Sequence, residues 1–173
     1  MRVVAGEFKG RRLVAPRGRH TRPTADKVRE ALFSMLGDVS GLRVLDLFAG
    51  SGALGIEAIS RGAGETVFVE RDRRAIDAIH RNLRAVGANA AVLEGDAPTV
   101  VRQDQRPFDL VFCDPPYDSA SRLAGPLAEH LPAITSEGAR IVTESDKRTP
   151  LELPFPLLTE RTYGDTRIAI HER

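Results

Sequence analysis

The sequence predicts an α/β fold: a doubly wound, mostly parallel sheet, with an antiparallel hairpin at its C-terminal edge and an N-terminal β-hairpin extension. Three observations carry that expectation. From residue 41 onward, short apolar runs alternate with helical stretches, the pattern of a parallel sheet covered on both faces. The chain then closes on two strand-like segments, LLTERTY and TRIAIHE, around Gly164-Asp165, a glycine-first two-residue hairpin loop. Before residue 41 the chain follows neither pattern: residues 1–22 read as a basic hairpin extension, and one helix follows.

The elements follow in order. VVAGEFKGRRLVA has two short apolar pieces around Lys9-Gly10 and reads as a hairpin. PRGRHTRP is a turn-rich basic link. Thr24 suits a helix N-cap, with Asp26 in the first turn; Val28, Ala31, Leu32, Met35 and Leu36 share one helical face, and Gly37 ends it. LRVLDLF is a strand, ALGIEAISR a helix stopped by Gly62, and TVFVE a strand. DRRAIDAIHRNLRAVG is an amphipathic helix with Ile76, Ile79, Leu83 and Val86 on one side and Gly87 at its end. AAVLEG is a strand, a short helix begins near Pro98, FDLVFC is a strand, 119–131 a helix and ARIVTE a strand.

At 173 residues, with 42% hydrophobic and 28% charged residues, the chain is of a size and composition for one globular core. The first nine residues lack the apolar stretch of a signal peptide, and no run has the length of a membrane span. The single cysteine, Cys113, excludes an internal disulfide and points to a cytoplasmic setting. Four scattered histidines and that cysteine form no metal-ligand pattern, so no metal is expected. Net charge is +1 but uneven: residues 1–29 hold nine basic and two acidic side chains, net +7, against −6 for the remainder. A basic arm on an acidic body suits a polyanionic partner, although a solvated terminus has the same composition.

In an open parallel sheet, ligands sit beyond the C-terminal ends of the strands. Four acids, Asp46, Glu70, Asp96 and Asp114, fall at such ends. The first turn, DLFAGSGALG, contains Gly50-x-Gly52-x-x-Gly55, whose glycines let a backbone approach a ligand at a helix N-terminus. Glu70, 20 residues past Gly50, is placed to accept ribose hydroxyls. Taken alone, these features also suit a nicotinamide dehydrogenase. Asp46 speaks against a pyrophosphate and for an adenosine ligand with a cationic tail. The strand FDLVFC is stopped by Asp114-Pro115-Pro116-Tyr117, a stiff corner presenting one carboxylate and one aromatic ring. As a purely structural turn, that corner would use Tyr117 as a surface anchor.

Together, D-x-F-A-G-S-G-x-L-G, the acid ending the second strand, Gly95-Asp96-Ala97 and Asp-Pro-Pro-Tyr resemble the S-adenosylmethionine-dependent methyltransferases of exocyclic amines. RVVAGEFKGRRL, RPTADKVREALFSML, LDLFAGSGALGIEAISRGA, FDLVFCDPPY and YGDT are similar, in order, to segments of the bacterial 16S rRNA guanine-N2 methyltransferases, the RsmD family. The resemblance covers nearly the whole chain and implies the Rossmann-like class I methyltransferase fold. It implies S-adenosyl-L-methionine as cofactor and 16S rRNA, free or in an assembling small subunit, as partner. Asp46 and the Phe48, Gly50 and Gly52 stretch would hold the methionine end, Glu70 the ribose, Arg71 and Asp96 with the Ala97 N–H the adenine, and Pro23 and Thr24 would cover the methionine.

Under that resemblance the proline corner has a chemical role. A guanine N2 amine is a poor nucleophile, because its lone pair is delocalised into the ring. Asp114 and the Pro115 carbonyl would accept its N–H bonds and aim the lone pair, Pro116 would stiffen the corner, and Tyr117 would stack on the extruded base. Residues 1–22 would form an RNA-binding arm through Arg2, Lys9, Arg11, Arg12, Arg17, Arg19 and Arg22, and 23–173 the methyltransferase domain. Deleting residues 1–20 is then expected to spare cofactor binding and abolish transfer. Cys113 invites comparison with the thiol nucleophile of pyrimidine C5 methylation, but it ends an apolar strand and is expected to be a packing thiol. A DNA amino-methyltransferase, a protein-glutamine methyltransferase and a non-catalytic nucleic-acid-binding module remain as alternative readings.

Overall fold

A computed structural model describes residues 1–16, 26–96, 106–116 and 120–173. The described elements are α1 (Asp26–Leu36), β1 (Arg43–Leu47), α2 (Ala53–Ser60), β2 (Glu65–Glu70), α3 (Arg73–Val86), β3 (Ala91–Glu94), β4 (Phe108–Cys113), α4 (Ala120–Ile134), β5 (Thr135–Asp146), β6 (Leu157–Tyr163) and β7 (Thr166–Glu172). The short helix expected near Pro98 and the cap at Thr24 lie outside the described residues.

One seven-stranded sheet runs in the order β3-β2-β1-β4-β5-β7-β6. The first five strands are mutually parallel. β7 pairs antiparallel with β5 and with β6. The chain winds outward from β1 to β3, then restarts at β4 on the other side of β1. The gap between β1 and β4 is therefore the topological switch point, where an open α/β sheet forms its ligand crevice. The fold is a Rossmann-like α/β sheet carrying the expected C-terminal hairpin, which turns at Gly164 (φ 64°).

Alternation along the strands sorts the core. Leu45, Leu47, Val67, Val69, Val111 and Ile141 face Leu127, Leu131 and Ile134 of α4. Val44, Leu110, Phe112, Val142 and Ile168 face Leu32, Phe33 and Leu36 of α1 and Leu54 and Ala58 of α2. Every residue of β1 is buried, as expected for a strand covered on both faces. The expected apolar face of α1 is rotated in the structure. Leu32, Phe33 and Leu36 are buried together with Arg29, which is fully enclosed, while Val28, Ala31 and Met35 are half-buried. The rotation follows from an ion network. The Arg29 guanidinium donates to Asp26 Oδ1 (3.0 Å) and to the Arg2 carbonyl, and its Nε lies 3.5 Å from Glu57 Oε2. Glu57 also accepts the Val4 and Ala5 N–H groups (2.7 and 2.9 Å) and Arg61 Nε (2.9 Å).

The N-terminal segment forms the expected narrow ribbon, with Arg2 bridging Arg12 and the Val3 N–H donating to the Arg11 carbonyl (3.0 Å). It is not a free arm. Val3, Phe8 and Leu13 are buried against Ile56, Phe68, Ile79 and Leu83. Gly6 has φ 80°, and a Cβ there would lie 1.7 Å from the Ser60 carbonyl oxygen, so only glycine lets the ribbon sit this close to α2. Burying each of the three apolar side chains contributes about 1.5–3 kcal/mol, a sum comparable with the net stability of a domain, about 5–15 kcal/mol. Deleting residues 1–20 would therefore unfold the body, and the role of the segment has to be tested on its charges instead.

Candidate active site

The site is built where β1, β2, β4 and β5 end. Past β1 the chain turns through Phe48 (φ 60°), Gly50 (φ 57°) and Gly52 (φ 76°) before α2 begins. Phe48 is the only non-glycine residue with positive φ among those described, a conformation that costs of order 1–3 kcal/mol and persists only where its surroundings enforce it. Here Ala49 N–H donates to the Val69 carbonyl (3.1 Å), and Gly52 N–H to the Ala49 carbonyl (2.7 Å). The Phe48 ring packs on the core of the α4 face.

Two acids clamp this turn. Asp46 lies inside β1, one residue before its end rather than past it, and its Oδ2 accepts Gly55 N–H (2.9 Å), an otherwise unpaired donor in the first turn of α2. Glu70 ends β2; Oε2 accepts Gly50 N–H (2.8 Å), and Oε1 accepts the Arg71 and Asp72 N–H groups (2.8 and 2.9 Å). Three backbone donors leave Oε2 with one lone pair for a ligand hydroxyl, where the sequence suggested a carboxylate open to two. Asp96 stands at the rim, exposed, 3.2 Å from Arg71 Nη1. The two residues expected to flank an adenine are thus neighbours at the mouth of the crevice.

Asp114, half-buried, follows β4 directly, with Pro115 buried and Pro116 half-buried behind it. Asp46 pairs with Phe112 in the β1–β4 register, and Cys113 pairs with Thr143 in the β4–β5 register. Side chains alternate along a strand, so Asp46, Asp114 and Glu144 stand side by side on one face of the sheet. Burial and neighbouring charge raise the pKa of both Asp46 and Asp114. Burial pushes the Asp46 carboxyl up to about 8, against the pull of the Gly55 N–H and with help from the charge of Glu70. Desolvation, then the charges of Glu144 and Asp46, hold Asp114 well above the carboxylate range. A row of crowded, desolvated acids favours a cationic ligand, which relieves repulsion at several of them at once. Cys113 is buried, and burial drives its thiol up, away from the thiolate a nucleophile needs. Among the described residues no cluster of three or more His, Cys, Asp or Glu is arranged for a metal ion.

The structure therefore brings together Asp46, Phe48, Gly50, Gly52, Glu70 and Asp114–Pro116, with Arg71 and Asp96 at the rim. Pro23, Thr24, Ala97, Tyr117, Arg17, Arg19 and Arg22 lie outside the described residues. Of the remaining basic residues, Arg2 sits over Asp26 (3.9 Å), Arg11 reaches the carbonyl of Ala85 (2.9 Å), and Lys9 and Arg12 are exposed. Glu144, Arg29 and Glu57 escaped the sequence reading. Glu144 carries the signal used for the other acids, since it closes the strand ARIVTE; Glu57 is a lone acid inside the otherwise apolar ALGIEAIS.

The glycine turn, the acid ending β2, the switch-point crevice and the proline corner sit on the sheet of a Rossmann-like class I methyltransferase. Residues 1–172 match the family model described as Conserved hypothetical protein 95. The chain belongs to that family, the RsmD-type rRNA methyltransferases. It is 39% identical to the Bacillus subtilis protein YlbH, over 100% of this chain and 99% of that one. It is 34% identical to the Haemophilus influenzae ribosomal RNA small subunit methyltransferase D, over 95% of this chain and 89% of its relative. The solved structure of the Thermus thermophilus protein TTHA0928 matches with a TM-score of 0.86 at 31% identity, covering 100% of this chain and 99% of that one.

Proposed function

We propose that the chain transfers a methyl group from S-adenosyl-L-methionine to the exocyclic N2 amine of a guanine in 16S rRNA. The observation that carries this reading is Asp114: a carboxyl that directly follows β4 at the switch point, backed by the buried Pro115 and on the same sheet face as Asp46 under the glycine turn. The site fits the cofactor chemically. Its cationic ammonium and sulfonium suit the crowded acids, and its ribose suits the free lone pair on Glu70. A pyrophosphate would need the Gly55 N–H that Asp46 already occupies, which disfavours a nicotinamide. In this reading Asp46, Phe48, Gly50 and Gly52 line the methionine end, Glu70 the ribose, and Arg71, Asp96 and Ala97 the adenine, with Pro23 and Thr24 over the methionine. When bound, the cofactor supplies an electrophilic methyl on sulfur.

The chain's own work is to hold the amine. Asp114 and the Pro115 carbonyl accept its two N–H bonds, Pro116 fixes their direction, and Tyr117 stacks on the base. A charge-assisted hydrogen bond contributes about 1.5–3 kcal/mol, whereas in-line positioning contributes roughly 7–11 kcal/mol, so positioning dominates. A cation beside Asp46 and Asp114 returns both toward the ionised form, the state that accepts an amine's hydrogen bonds. The proton released after transfer passes to Asp114 or to water. Residues 1–22 contribute RNA contacts through Arg2, Lys9, Arg11, Arg12, Arg17, Arg19 and Arg22, and 23–173 the methyltransferase domain. The reaction belongs in the cytoplasm, where rRNA is; among the described residues no helix is long and apolar enough to cross a membrane.

The test is transfer of labelled methyl to 16S rRNA, and to small-subunit particles, from cells lacking this chain, with mapping of the product. Label on a guanine N2 supports the reading; label on another atom, or on neither substrate, overturns it.

A further inference from the structure

The N-terminal ribbon ends against the C-terminal half of α3. Asn82, buried, accepts the Val14 N–H (2.8 Å) and donates to the carbonyls of Val14 (3.0 Å) and Ser51 (2.8 Å). One side chain thus ties the ribbon, α3 and the glycine turn together. Arg11 Nη1 donates to the Ala85 carbonyl (2.9 Å), in the last turn of α3, where unpaired carbonyls make the helix end negative. Beneath these polar contacts Leu13 packs in one core with Leu83 and Val86. Ribbon and helix therefore form one rigid surface that abuts the candidate active site through Ser51.

That surface is cationic on both elements. Lys9, Arg12, Arg81 and Arg84 are exposed, and no ion pair involves any of them among the described residues. The acids on the same stretches are Glu7 and Asp77. At the other end of α3 the situation differs, because Arg73 is paired with Glu94 (3.1 Å). Arg81 and Arg84 are three residues apart on one helical face, with Cβ atoms about 5–6 Å apart. Exposed guanidinium groups with no carboxylate partner among the described residues, on a preorganised surface beside a cleft, suit contact with a polyanion backbone rather than readout of bases.

We propose that Arg81 and Arg84 of α3 form a second strip of phosphate contacts, continuous with Lys9 and Arg12 of the ribbon, on which the substrate RNA lies as its target base enters the cleft. The proposal rests on the reading that the substrate is RNA. It assigns to α3 a role that the charge of residues 1–22 alone does not reveal.

The experiment uses the full chain, 16S rRNA purified from cells lacking it, and the double variant Arg81→Gln/Arg84→Gln, with Arg122→Gln on α4 as control. Binding is measured across a salt series. The double variant is expected to bind about 10-fold more weakly, with the slope of log affinity against log salt shallower by about 2. Arg122→Gln is expected to leave both unchanged, and all three proteins to bind S-adenosyl-L-methionine equally. An unchanged slope in the double variant, with wild type binding RNA, overturns the α3 strip and leaves the RNA reading standing. Wild type that neither binds nor methylates the rRNA overturns both.

Discussion

Replacing Asp46 by Asn tests the electrostatics of the crevice directly. In the folded chain burial raises this carboxyl from its ordinary 3.8 to about 8. Because the folded value is raised, ionisation opposes folding: stability is lost as pH climbs from about 4 to about 8 and levels off above. One pKa unit corresponds to 1.36 kcal/mol, so linkage predicts that Asp46 costs about 2 kcal/mol at pH 5 and about 5 kcal/mol at pH 8. Asn keeps an oxygen to accept the Gly55 N–H but carries no charge. Its stability relative to wild type should therefore rise by about 3–4 kcal/mol between those two pH values. Urea denaturation of both proteins at pH 5, 6.5 and 8 reads this difference, and the comparison cancels groups common to both. The same variant should bind S-adenosyl-L-methionine at least 10-fold more weakly, because the amide offers a cation no charge. A pH-independent difference in stability would refute the account of Asp46 as a buried, repelled acid.

Four further outcomes follow from the same geometry. Asp114→Asn should lower kcat at least 100-fold while changing cofactor affinity only a few-fold, read by single-turnover transfer and calorimetry; equal losses in both would move Asp114 from the amine to the cofactor. Cys113→Ala should retain transfer within a few-fold, since the thiol is buried and protonated; abolished activity in a folded protein would restore the nucleophile reading. Phe8→Ala should destabilise by about 3–5 kcal/mol in denaturant titration, as a core residue does and a residue of a loose arm does not. Glu57→Gln should cost about 1–3 kcal/mol by removing one of the two carboxylates, Glu57 and Asp26, that face the enclosed Arg29, and a loss below about 1 kcal/mol would show that the network is dispensable.

Among the described residues, the order of strands and helices, the glycine turn, the proline corner and the hairpin at Gly164 were legible in the sequence because each rests on local chemistry. Periodicity, positive-φ glycines and strand-stopping prolines act over a few residues. The acids at strand ends were legible one at a time. Their repulsion was not, because it depends on register between strands far apart in the chain: Asp46 meets Phe112, and Cys113 meets Thr143, only across the finished sheet. Glu144 carries the same strand-end signal, but its place beside Asp114, 30 positions earlier, depends on that register.

The N-terminal segment shows the difference most clearly. Its charge marks it as basic, and its apolar residues are few and scattered, so by composition it is an arm. Only the tertiary structure could show that Val3, Phe8 and Leu13 complete the core over α2 and α3, and that Arg29 turns inward to Glu57 instead of outward to solvent. Sequence by itself determined which elements form, the family they belong to and which residue types stand at the crevice. Folding decided which of those groups crowd, which are already occupied by backbone donors and which charges stay free for a partner, because burial and Coulomb repulsion depend on distances that no local pattern encodes.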